Sequence, residues 1–185
     1  MAPRKQRKPS KAELPEPPRF HICGLVELRA VPPAGWSHVI SIWNSSAAPR
    51  RQEIHSTIRG QFLGARVHIA IFDDIEREEQ GYVAPTEEDI SEILVFSLGI
   101  PYGARVLVHC MAGLRRSTAV AYAIACQVAG AGYEQEAFEV VRAARPQLAP
   151  NQLIVEIADL LLQRHGAMSE VVDAHWRRMA VELKA

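Results

Sequence analysis

The stretch Arg105-Val-Leu-Val-His-Cys-Met-Ala-Gly-Leu-Arg-Arg-Ser-Thr118 decides the fold. Residues 105–109 form a short apolar, β-branched run, the pattern of a buried strand. Residues 116–128 then take up helical apolar spacing, so a strand feeds a helix through a loop of a few residues. That unit belongs to a parallel sheet, because parallel neighbours need a crossover that covers one face. Working outward, residues 20–28, His38–Trp43 and Arg66–Ile71 have the same strand character and are bounded by Pro and Gly. Thr86 with Asp89 three residues on forms an N-cap box that leads into Ile90, Ile93 and Leu94, predicting a helix to about Leu98. Three more helical patterns, 133–144, 152–163 and 169–183, are separated by Gly132, Pro146, Pro150 and Gly166. The expected fold class is α/β, with a central, largely parallel sheet of four to five strands flanked by helices.

Composition bounds the partners. The chain has 185 residues, 48% hydrophobic and 23% charged, which suits one globular domain. Residues 1–19 carry five prolines and few large apolar side chains, and read as a disordered, solvated arm ahead of a single domain over 20–185. The arm is basic: Arg4, Lys5, Arg7, Lys8 and Lys11 stand in the first eleven residues without an acid. Basic and acidic residues each number 21 over the chain, so a nucleic-acid-binding surface is not expected. Three cysteines and no apolar run behind the basic start argue against secretion and a disulfide framework, and for the reducing cytoplasm. No stretch approaches the roughly 18 apolar residues of a membrane span, so the expectation is a soluble protein.

Cys110 ends the strand and Arg116 stands six residues later. The spacing alone is weak, since Cys23 and Arg29 share it; there the intervening residues read as continued strand, and Cys23 as a core thiol. Context separates the two. Ala112 and Gly113 permit a tight loop, and the helix behind it offers unpaired N–H groups and the positive end of its dipole. Met111, Ala112, Gly113, Leu114, Arg115 and Arg116 are therefore the candidate phosphate-binding loop. Arg116 adds a planar fork for two oxygens. Amide dipoles and a guanidinium favour the Cys110 thiolate, the form that attacks phosphorus. Ser117 is placed to hydrogen-bond the sulfur, and His109 to brace the loop. The remaining histidines, His21, His38, His55, His68, His165 and His175, show no metal-ligand spacing, and thiolate chemistry requires no metal or other cofactor. Cys126 lies about 15 Å along the helix from the loop, too far to pair with Cys110.

Displacing an alkoxide or phenoxide also needs a proton donor. Asp73 and Asp74 follow the strand Arg66–Ile71, at the sheet edge where Cys110 also emerges. Adjacent extended residues point oppositely, so one of the pair faces the phosphate, and spacing does not choose between them. Glu76, Glu78 and Glu79 read as a solvated acidic turn.

His109-Cys110-Met-Ala-Gly113-Leu-Arg-Arg116-Ser117 resembles the His-Cys-x5-Arg-Ser/Thr signature loop of cysteine-dependent protein tyrosine phosphatases, most nearly the compact dual-specificity-like branch. The resemblance covers about residues 20–165. It implies the phosphatase fold and hydrolysis of phosphotyrosine in proteins, with phosphoserine and phosphothreonine as further substrates, through a phosphocysteine intermediate. Matching Phe72-Asp73-Asp74 to the family puts the donor on Asp74, with Asp73 as the fallback. Pro150-Asn151 is similar to a Pro-Asn that opens the next helix in such enzymes, so Asn151 is an N-cap first. Arg115 departs from the pattern by filling a position more often small, and neither tryptophan nor proline immediately precedes the aspartate. Gly81-Tyr-Val-Ala-Pro-Thr86 is similar to bacterial phosphatases of this type. Two alternatives stand beside this reading. One keeps the chemistry on a phosphoinositide or an RNA 5′-phosphate, suggested by Arg115 and the basic arm. The other is a non-catalytic phosphoprotein-binding relative, against which the presence of Cys110, Arg116 and an acid argues.

Overall fold

The computed structural model describes residues 16–182, so the arm's cations Arg4, Lys5, Arg7, Lys8 and Lys11 lie outside the described residues. In chain order the elements are β1 (Arg19–Gly24), α1 (Leu25–Leu28), β2 (His38–Trp43), a 3-10 turn (Ser45–Arg50), α2 (Arg51–Gln61), β3 (Arg66–Ile71) and α3 (Glu87–Ser97). β4 (Arg105–Cys110), α4 (Arg116–Ala129), α5 (Glu134–Ala144), α6 (Gln152–Leu161) and α7 (Ala167–Glu182) complete the described chain. The four strands form one all-parallel sheet in the order β1-β4-β2-β3. The interior strands β4 and β2 are buried over nearly their whole length, whereas β1 and β3 at the edges begin exposed.

Register assigns each side chain to a face, because paired residues of parallel strands point the same way. Ile22, Val108 and Ile40 lie side by side on one face with Val106, Ile42 and Cys110. Cys23, Leu107, Val39 and Ile69 form the other face. The first face carries α3 to α7, and the second packs on α1 and α2. α4 is buried on every side from Arg116 to Cys126, as befits a central helix that is apolar all round. Its alanines let neighbours approach closely, and the Tyr122 ring packs edge-on against Phe138 of α5 at 5.3 Å. At α3 the anticipated box is present: the Thr86 hydroxyl accepts from the Asp89 amide at 3.2 Å, and Asp89 accepts from the Thr86 amide at 2.9 Å.

The structure departs from the sequence reading at three places. Residues 25–28 do not extend the first strand, since β1 stops at Gly24 and α1 follows as a single turn. The amphipathic α2 escapes a periodicity search because only Ile54 and Ile58 point inward, with Pro49 just before it and Gly60 in its last turn. The first strand also starts one residue early, at Arg19, whose amide donates to the Ala104 carbonyl at 2.8 Å. Among the described residues no helix is long and apolar enough to cross a membrane.

Burial holds two strand histidines neutral. Desolvation pushes His68 down to about 4, aided by the Arg51 charge, and pushes His109 down to about 4 against a small opposing effect of the Cys110 backbone. A histidine whose folded pKa lies below its unfolded value binds a proton first in the unfolded chain. Its stabilising contribution is full above about pH 6.5 and is lost as pH falls from there towards 4, at up to about 1.4 kcal/mol per pH unit for each imidazole. Denaturant unfolding of His68→Gln between pH 7 and 4.5 is therefore expected to show a shallower loss of stability than wild type. Parallel curves would remove His68 from this account.

Candidate active site

The loop between β4 and α4 is shaped by where its carbonyls are tied. The Met111 carbonyl accepts from the Leu25 amide at 3.0 Å, Leu114 from the Ala149 amide at 2.9 Å, and Arg115 from the Ala119 and Asn151 amides at 3.0 and 3.3 Å. The Thr118 hydroxyl adds a 2.6 Å bond to the Leu114 carbonyl. No peptide in the described chain is cis, and across a trans peptide the following N–H points opposite to the carbonyl. The amides of Ala112, Arg115 and Arg116 thereby point away from these anchors, which leaves three backbone donors turned to the inner side of the loop. Gly113 has φ +73°, and a Cβ there would come within 2.4 Å of the Cys23–Gly24 backbone. Gly24, paired with Cys110, has the loop lying over it, and a Cβ there would meet Met111 O at 3.0 Å. Gly113 needs glycine for the loop to lie on the end of β1, and at Gly24 a side chain would press on the loop backbone.

Cys110 is 1% exposed at the base of this loop. The Gly113 amide donates to its sulfur at 3.2 Å, and the Ser117 hydroxyl stands 3.3 Å away. Arg116, also buried, donates from Nη1 to the Phe72 carbonyl at 2.7 Å and from Nη2 to Asn44 Oδ1 at 2.8 Å. These bonds fix the guanidinium plane from the ends of β3 and β2. Its Nε is buried without a hydrogen-bond partner among the described residues and lies 4.0 Å from Asp74 Oδ2.

The two neighbouring aspartates part company. Asp73 is 4% exposed and accepts from the amides of Ser45 at 3.1 Å and Val83 at 2.8 Å. Burial alone would raise its pKa, but bonds from Ser45 and Val83 and the Arg116 charge outweigh that and hold the carboxyl below its ordinary value. Asp74 faces the loop. Its Oδ1 accepts from Arg115 Nε at 3.2 Å and from the Asn151 side-chain amide at 2.8 Å. Asn151 also caps α6 by accepting from the Ile154 amide at 3.1 Å. Glu76 is not a merely solvated acid, because it pairs with Arg115 and accepts from the Gln152 amide at 3.0 Å.

His109 packs its ring edge-on against Trp43 at 6.0 Å, and neither ring nitrogen makes a hydrogen bond of normal geometry. It contacts the loop's surroundings by packing. Asn44 and Gly24 escaped the sequence reading. The signal for Asn44 was available: a polar residue directly after β2, at the sheet edge where parallel strands gather ligand-binding groups. Among the described residues no cluster of three or more His, Cys, Asp or Glu is arranged to hold a metal ion.

No protein-family model matches the chain. Over 49 residues, 26% of this chain, it is 47% identical to dual specificity protein phosphatase 15 of Rattus norvegicus and 45% identical to that of Mus musculus, spanning 20% of the length of each. The fold is similar to that of Tk-PTP in its active form, with 25% identity, a TM-score of 0.52 and coverage of 78% of this chain and 90% of that one. Human DUSP28 shares the fold at 18% identity and a TM-score of 0.50, over 81% of this chain and 95% of that one. The Cys110–Ser117 loop therefore sits at the mouth of a central buried helix in a fold similar to that of Tk-PTP.

Proposed function

We propose that the chain is a phosphomonoesterase that hydrolyses phosphotyrosine in proteins, and phosphoserine or phosphothreonine more slowly, in the reducing cytoplasm. Residues 20–185 form its single catalytic domain behind a basic arm. The observation that carries this reading is the convergence on one buried sulfur of a loop amide, a hydroxyl and, beside it, a guanidinium anchored from two strands. A phosphate held by the inward amides and the free edge of Arg116 meets Cys110 Sγ at the loop's base. The thiolate attacks phosphorus, the P–O bond to the substrate breaks, and the departing oxygen takes a proton from Asp74. Arg116 stabilises the equatorial oxygens as charge develops on them. Water then attacks the phosphocysteine and gives its proton to Asp74, while the Ser117 hydroxyl donates to the departing thiolate. Asp73, held ionised by backbone amides, anchors the donor segment instead of supplying the proton. Free cysteines at 23, 110 and 126 agree with a reducing compartment.

Cys110→Ser is expected to lower turnover of an aryl phosphate to below roughly 1% of wild type while vanadate still binds, because the hydroxyl is a far poorer nucleophile at neutral pH. Stopped-flow assay and calorimetry check both halves, and turnover above that level refutes the nucleophile. Arg116→Lys is expected to cost on the order of 10²–10³-fold in kcat, since one ammonium cannot reproduce the fork; a near wild-type rate would leave the amides sufficient. Asp74→Asn is expected to flatten the alkaline limb of the kcat profile and to hurt most with a poor leaving group. Asp73→Asn is expected to lower all substrates by one modest factor and keep that limb. Profiles for both variants on two aryl phosphates of different leaving-group pKa decide it, and loss of the limb in Asp73→Asn alone reverses the roles.

A further inference from the structure

On the sheet face away from α4, a cleft of about 540 Å³ runs between α1 and α2, within the size range of ligand-binding clefts. Its apolar floor is Leu25, Leu28, Trp43, Ile54 and Ile58. One end is closed where the Gln61 side-chain amide donates to the Leu28 carbonyl at 3.2 Å. The other end abuts the phosphate loop on two sides. Leu25 donates its amide to Met111, the residue after Cys110. The Trp43 ring packs on His109, the residue before Cys110, and Trp43 directly precedes Asn44, which holds Arg116. Met111 is itself 44% exposed, an apolar side chain on the loop whose carbonyl Leu25 holds.

Charge distinguishes the occupants. Arg50 at the cleft is neutralised by Glu53 through bonds of 2.9 and 2.7 Å. Arg29, the second half of the Cys23…Arg29 spacing, is exposed at the rim, and its guanidinium has no ion-pair or hydrogen-bond partner among the described residues. An uncompensated guanidinium beside an apolar floor repels a basic segment such as residues 1–11 and matches an apolar side chain with a carboxylate next to it.

We propose that this cleft docks the stretch of a phosphoprotein substrate adjoining its phosphorylated residue, with an apolar side chain on the Leu25–Trp43–Ile54 floor and an acidic neighbour facing Arg29. The proposal rests on the phosphatase reading. It makes the cleft a specificity site outside the phosphate loop, which raises kcat/KM on peptides without serving a small aryl phosphate.

The test uses the full chain and phosphotyrosine peptides on a Gly/Ser background, with one Leu-Glu pair walked from three residues before to three residues after the phosphotyrosine. Wild type is expected to favour one register at least tenfold in kcat/KM over the peptide without the pair. Thr57→Tyr fills the cleft from its exposed wall without altering a core residue, and Arg29→Glu reverses the rim charge. Thr57→Tyr is expected to abolish the preference, and Arg29→Glu to abolish the contribution of the Glu, with aryl phosphate turnover within twofold of wild type in both. Equal rates for all peptides, or a preference that survives both variants, overturn the docking site while leaving the phosphatase reading intact. Failure of wild type to hydrolyse either the aryl phosphate or any peptide overturns both together.

Discussion

The outward anchoring of three loop carbonyls, those of Met111, Leu114 and Arg115, organises much of the molecule around Cys110. Each anchor comes from a different part of the chain: the start of α1, the segment before α6 and the first turns of α4. Because a trans peptide couples each carbonyl to the next N–H, tying carbonyls outward preorganises donors inward. That orientation costs nothing at the moment of reaction, which is the advantage of fixed dipoles over water. Gly113 serves the same end, since a methyl group there would clash with the end of β1, and one at Gly24 would press on the loop backbone. The short turn of α1 follows directly: the chain leaves β1 at the loop and presents the Leu25 amide to it.

The segment after β3 is held by two different sets of contacts. Asp73 ties it inward through backbone amides of two distant segments, and Asp74 is left facing the loop one residue later. Arg115 contacts both Asp74 and Glu76. It therefore joins the β4–α4 loop to the segment after β3, and Asn151 reaches the same segment from the cap of α6.

Parallel register separates two cysteines that sequence spacing makes equivalent. Cys23 pairs with His109 and shares its face, whereas Cys110 pairs with Gly24 and belongs to the α4 face. The two thiols thus lie on opposite sides of the sheet, which disfavours a disulfide between them. Burial pushes the Cys23 thiol up to about 12, so it stays protonated and unreactive. Burial likewise raises Cys126.

Sequence by itself determined the elements whose patterning is local. Apolar strands ending in polar edge residues, the Thr86 box, and the strand–loop–helix with Cys110 and Arg116 could each be read from a few adjacent side chains, and so could the α/β class. α2 was not legible, because only Ile54 and Ile58 needed to be apolar once the sheet supplied the rest of its packing. Residues 25–28 were misread for the converse reason: their apolar side chains suit a strand, yet the loop above needs the Leu25 amide and turns the chain. Which aspartate faces the loop, that Glu76 and Arg115 meet, and that Asn44 holds Arg116 were decided only by tertiary structure. These contacts join residues 39 to 72 positions apart. Hydrogen-bond geometry at such separations is set by the sheet order β1-β4-β2-β3 and by the crossings of the helices on it, and neither is encoded in any local run of side chains.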